Sequence, residues 1–302
     1  MIGIKGMIRS TALAATLLAG LGLAGASQRD WYAHLDGSQE VPPVVTEAVG
    51  HAALELSDDM TTLAFSLSFE GIDPANVTGA HIHVGAAGVN GPVIFDLLAA
   101  QPVPGPYSSP ITGTLTAVNL TPQPADGVAT FEDALLKIEA GLAYVNVHTT
   151  AFPDGEIRGQ IGLVVDLKVR KAINPRSNGV ISVWILSAPG FDALTVDPAT
   201  VTFGPMGAWS AGRSGDANDD GLMDLGFKFR TRETGIQCGD TSVTLEGATY
   251  DGLLIEGSRA IKTPGCKGKK GDHGNGGNNG GGHGDDDDDD GENSQGNGNG
   301  RH

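Results

Sequence analysis

The sequence has no apolar run long enough to cross a bilayer as a helix: the longest, Thr11 to Leu23, is about thirteen residues where roughly twenty are needed. That run follows Lys5 and Arg9 and precedes the small residues Ala24-Gly25-Ala26, the layout of a signal peptide spanning residues 1–26. A secreted or periplasmic/extracellular chain is expected, with no transmembrane segment after cleavage. Cysteine is nearly absent, Cys238 and Cys266 being the two. Their spacing builds no zinc knuckle, and no histidine sits beside either thiol to make a nucleophile. In an exported protein such a pair is read as a disulfide. Basic residues are missing from the first half, where residues 30–161 hold 16 acidic side chains against Lys137 and Arg158 alone. A surface of that sign repels phosphate backbones and excludes nucleic acid as a partner, while it attracts divalent cations and basic proteins. Also missing are a nucleophile elbow, a P-loop and a dinucleotide fingerprint, so no recognisable catalytic constellation is present.

What is abundant is short strands. Leu63, Phe65, Leu67 and Phe69 alternate with Thr62, Ala64, Ser66 and Ser68, the period-two pattern of a sheet with one buried face. Similar runs recur at residues 51–56, 77–84, 93–98, 111–118, 143–149 and 156–165. Breakers such as Gly71-Ile72-Asp73-Pro74, Asn90-Gly91-Pro92 and Pro153-Asp154-Gly155 separate them. Phe131–Ala140 is the one helical stretch. A second strand set occupies residues 164–171, 180–187, 200–203, 226–230, 242–246 and 253–256, with Ser177-Asn178-Gly179 as a hairpin signal. The fold expected is all-β: two β-sandwich or Greek-key domains in tandem, residues 28–163 and 164–266. The remaining residues, 267–302, are a Gly/Asn/Asp-rich tail that includes Asp285–Asp290; it cannot form a core and is expected to be disordered.

Three histidines fall on predicted strands of the first domain. His81 and His83 lie two apart in Thr78-Gly79-Ala80-His81-Ile82-His83-Val84-Gly85 and therefore project from the same face, while Ile82 faces the other way. His148 stands late in Tyr144-Val145-Asn146-Val147-His148-Thr149. Together the three could bind zinc or copper with one position left open, with Glu156 or Arg158 behind them. Polar strand surface is the competing reading.

Three segments carry a family resemblance. They are Leu35-Asp36-Gly37-Ser38-Gln39-Glu40-Val41-Pro42-Pro43, then Ala80 to Pro92 with its Gly85-Ala86-Ala87-Gly88-Val89-Asn90-Gly91, then Tyr144–Thr149 running on through Pro153-Asp154-Gly155-Glu156-Ile157-Arg158-Gly159-Gln160. In this order they resemble the CHRD (chordin-type) domain of secreted bacterial proteins, over residues 31 to about 163. The resemblance implies an extracellular β-sandwich module that binds an extracellular protein or a matrix or cell-surface component. The His-x-His strand is also similar to that of copper–zinc superoxide dismutase, a Greek-key protein. The segment offers only His34, His51, His81, His83 and His148, so a single mononuclear site is the most it can build.

The second domain contains Asp216-Ala217-Asn218-Asp219-Asp220-Gly221-Leu222-Met223-Asp224, the calcium-loop pattern D-x-N-x-D-G-x-x-D. Oxygens of Asp216, Asn218, Asp220 and Asp224, with the carbonyl of Leu222, are the expected ligands, and Gly221 allows the sharp turn. Phe227 stands where an EF-hand has its bidentate glutamate, which predicts weak, structural calcium. The expected function is an exported binding or structural module stabilised by calcium and a disulfide. The alternative is a mononuclear zinc or copper metalloprotein or metalloenzyme built on the three histidines.

Overall fold

Alternation dictates the first strands. In a computed structural model that describes residues 29–101 and 108–266, Leu63, Phe65, Leu67 and Phe69 are all buried, and the residues between them are exposed or half-buried. The segment expected to be a signal peptide and the acidic tail lie outside the described residues.

The strands of the N-terminal part are β1 (Asp30–Asp36), β2 (Val49–Leu56), β3 (Leu63–Glu70), β4 (Val77–Val84), β5 (Val93–Asp96), β6 (Ile111–Leu115), β7 (Ala143–Thr149), β8 (Ile157–Gln160) and β9 (Gly162–Val164). One helix, α1 (Phe131–Glu139), joins β6 to β7. Thr130 caps it, accepting from the Asp133 amide while Asp133 accepts from the Thr130 amide, which satisfies two otherwise free donors of the first turn. Phe131, Ala134, Leu135 and Ile138 form its buried stripe, and the Phe131 ring meets Phe95 edge-on at 5.9 Å.

The C-terminal part contributes β10 (Leu167–Val169), β11 (Val180–Ile185), β12 (Thr202–Phe203), β13 (Ala208–Trp209), β14 (Arg213–Gly215), β15 (Asp224–Arg230), β16 (Ser242–Ala248) and β17 (Leu254–Ala260). The fold is therefore all-β, in two sheets. The larger sheet runs β13-β12-β16-β17-β9-β1-β8-β7-β4-β5, with β2, β3 and β6 added in turn beyond β1. The smaller runs β10-β11-β15-β14. The boundary expected at residues 163/164 falls inside β9. That strand pairs antiparallel with β1 through Trp31↔Leu163 and parallel with β17 through Ile255↔Leu163, so backbone hydrogen bonding runs across it. The hydrophobic core is likewise continuous, from Trp31, Leu54, Leu67 and Ile82 to Phe203, Phe227 and Phe229. Ser177-Asn178-Gly179 lies ahead of β11 but makes no two-residue hairpin, because β10 ends at Val169 and pairs there with Val183. Among the described residues no helix is long and apolar enough to cross a membrane.

Candidate metal centre

Strand register decides which histidines meet. β4 and β7 pair antiparallel with His83 opposite Tyr144, His81 opposite Asn146 and Gly79 opposite His148. Period two then places Gly79, His81 and His83 beside His148, Asn146 and Tyr144 on one face. The ring centroids stand 5.6 Å (His81–His83), 5.0 Å (His81–His148) and 6.1 Å (His83–His148) apart. One nitrogen of each ring lies within 4.8 Å of the others, so the structure brings together all three histidines expected from the sequence. Gly79 makes this possible. A Cβ there would sit 2.7 Å from His81 Cε1 and 3.4 Å from His148 Cδ2, in the space the two rings occupy.

Two of the rings are already set for ligation. His83 Nδ1 lies 2.9 Å from the carbonyl of Gly91 and His148 Nδ1 lies 3.0 Å from that of Pro153. A carbonyl only accepts, so each Nδ1 carries the proton and each Nε2 presents a lone pair, the arrangement that orients metal-binding imidazoles. Both Nε2 atoms, and Nδ1 of His81, are buried without a hydrogen-bond partner. A buried acceptor left unpaired costs about 1–3 kcal/mol, and one cation coordinated by the three nitrogens would satisfy all of them. Burial pushes His83 down to about 4, against the opposing bond to Gly91, with the charges of His81, His148 and Arg158 adding to the fall. Burial also lowers His81, helped by His148 and opposed by Asp96. At neutral pH both rings are in the neutral form that a metal requires.

Behind His83 the rings form a stack. Tyr144 lies parallel to His83 at 4.8 Å, and the Arg158 guanidinium sits 3.4 Å from the Tyr144 centroid. Arg158, 1% exposed, donates to Asn90 Oδ1 (3.1 Å) and to the carbonyls of Ala86 (3.1 Å) and Val89 (2.9 Å). It thereby holds the loop that delivers the Gly91 carbonyl to His83. Glu156 is also buried, but it accepts from Thr46 and Thr149 hydroxyls at 2.9 and 2.7 Å, not from an imidazole. Glu40 was not singled out as a site residue by its sequence. It is buried, accepts from Asn146 Nδ2 at 3.4 Å, and is pushed up to about 7 by burial, with Arg158 and Asn146 opposing. Asn146 lies within a CHRD-like segment but was not singled out as a site residue, and Asp96 carried no motif signal; only the pairing of β7 and β5 with β4 sets them next to His81.

The Asp216–Asp224 turn connects β14 to β15, with Gly215 paired to Asp224. Its carboxylates take backbone amides. Asp216 accepts from Asp219 and Gly221, Asp220 from Leu222, and fully buried Asp224 from Ser187 (2.9 Å) and Ala217 (2.7 Å). Asn218 donates to the second oxygen of Asp220, and the Lys168 ammonium donates to the Ala217 carbonyl. Asp219 and Gly221 take the left-handed φ values of 64° and 88° that let the chain curl. Cys238 and Cys266 form a disulfide, their Cα atoms 5.5 Å apart.

No curated protein matches the chain. Residues 31–161 match the family model described as CHRD domain. That interval takes in the strands from β1, all but its first residue, to β8 and all three converging histidines, so the similarity to the CHRD domain lies in the N-terminal part.

Proposed function

We propose that this protein is an exported binding module whose working surface is a transition-metal centre, zinc or copper, held by His81, His83 and His148. One observation carries the reading: three imidazoles converge, each has a buried ring nitrogen without a partner, and two of the rings are fixed in the ligating tautomer by the carbonyls of Gly91 and Pro153. Such an arrangement is costly without a cation and favourable with one. The binding partner is an extracellular protein or a matrix or cell-surface component, approached through the acidic face of the domain. Export is supported by the Cys238–Cys266 disulfide, which persists in oxidising compartments, and by the CHRD match.

The Asp216–Asp224 turn serves as a structural calcium loop in this reading. Its support is the sequence pattern; Asp216 and Asp220 are engaged with backbone amides of the turn, and among the described residues the loop's carboxylates do not form a converging group. Calcium and the disulfide stiffen the C-terminal part, and the histidine centre is separate from both.

Elemental analysis of the purified chain tests the main claim. About one zinc or copper per chain is expected, falling to near zero in His81→Ala/His83→Ala. Unchanged metal content in the double variant would remove the site. A metalloenzyme remains the second reading, favoured by the position that three protein ligands leave free.

A further inference from the structure

A cavity adjoins the centre on the side of His81, and the residues that line it are chemically selective. β5 sets Asp96 directly across from His81 in the β4–β5 ladder. Both line a cavity of about 350 Å³ whose other walls are Thr78, Gly79, Leu98, Ala99 and Gln101. Asp96 Oδ1 is held by the amides of Leu98 (2.9 Å) and Ala99 (3.0 Å), which fixes the carboxylate plane; Oδ2 takes no hydrogen bond among the described residues. Asp96 stands outside the group of converging donor atoms. It is therefore not counted as a fourth ligand.

Resting on the three-histidine reading, we propose that the fourth coordination position faces this cavity and holds a small hydrogen-bond-donating molecule, water, that donates to Asp96. Three neutral imidazoles leave the full charge of a divalent ion to polarise that water, and a carboxylate on the same side accepts its hydrogen. The same carboxylate repels anions, and the 16 acidic residues against two basic ones in residues 30–161 reinforce it. The centre thus selects neutral, proton-bearing ligands over anionic ones, and molecules reach the ion by way of the cavity.

The test uses the full chain loaded with cobalt(II), whose visible spectrum reports coordination, and azide as an anionic probe at fixed ionic strength. Asp96→Asn keeps the Oδ1 acceptor that binds the two amides, so the turn persists, and it removes the charge. Azide should bind this variant about tenfold more tightly than wild type, the factor expected for one charge a few ångströms from the anion at an intermediate dielectric. Ala99→Leu should narrow the cavity and abolish the azide-induced spectral change while cobalt still binds. A spectrum that azide does not alter in wild type or Asp96→Asn shows a closed centre and overturns the proposal. Equal azide affinity in those two proteins removes Asp96 from the site. Failure of the wild-type chain to take up cobalt refutes the three-histidine reading itself, a different result from either of these.

Discussion

Replacing Arg158 by Leu should cost about 4 kcal/mol of stability and loosen the metal centre at a distance. The guanidinium makes three hydrogen bonds, to Asn90 Oδ1, Ala86 O and Val89 O, from a position only 1% exposed. Hydrogen bonds from a charged donor are worth about 1.5–3 kcal/mol each. All three end on one loop, so their losses overlap, and Leu refills part of the volume over Tyr144; a total near 4 kcal/mol results, not the sum. For a folded unit of this length each kcal/mol lowers the melting temperature by about 2–4 °C, which puts the expected fall at about 8–16 °C. Lysine is no rescue, because a single ammonium cannot span three acceptors or stack as a planar guanidinium does. Slackening of the loop also frees the Gly91 carbonyl from His83, and losing such an outer contact lowers metal affinity by about 10–100-fold. Equilibrium unfolding in urea, followed by tryptophan fluorescence and paired with metal titration, measures both effects. Stability within about 0.5 kcal/mol of wild type, or an Arg158→Lys variant indistinguishable from it, would refute the reasoning.

Other expectations follow from single contacts. His34 Nε2 lies 2.6 Å from Glu256 Oε2, and this hydrogen bond, with the Glu256 and Glu246 charges, raises the His34 pKa despite its partial burial. The pair's stabilisation is fully present below the ordinary imidazole value near 6.5 and is lost as pH rises through the raised folded value. The urea-midpoint difference between wild type and Glu256→Gln should therefore shrink on the alkaline side; a difference independent of pH would sink the idea. Cys238→Ser/Cys266→Ser should lower stability by up to about 3.6 kcal/mol, the chain-entropy figure for this loop, as read from denaturant unfolding without reductant. Asp224→Ala leaves the buried Ser187 amide and the half-buried Ala217 amide unpaired and should cost about 2–4 kcal/mol in chelator, and more in calcium, where an ion ligand is lost as well. Asp216→Ala should instead abolish the calcium-dependent part of the thermal midpoint. A wild-type midpoint that calcium leaves unmoved removes the calcium loop.

Local pattern was enough for the strands. β4 and β7 begin and end where alternation and turn residues place them, β3 buries the predicted face, and the helical stretch after Thr130 is α1. Small strands escaped notice: β13 and β14 have only two and three residues, too few for a period to show. The side-by-side projection of His81 and His83 was legible because it follows from spacing along one strand. The approach of His148 was not, since it depends on β4 meeting β7 in the register that sets His148 opposite Gly79.

By itself, then, the sequence determined the all-β class, the CHRD-type motifs, the pairing of the two cysteines and a list of metal-ligating candidates. Each of these depends on neighbours in the chain or on residue type. Tertiary structure alone decided that three rings converge and that the Gly91 and Pro153 carbonyls fix two tautomers. It also decided that Arg158 anchors the loop behind the site and that Asp96 and Glu40 stand around it. These are contacts between strands and loops far apart in sequence, set by register and by the space that Gly79 leaves empty, and no periodicity within a single segment encodes them.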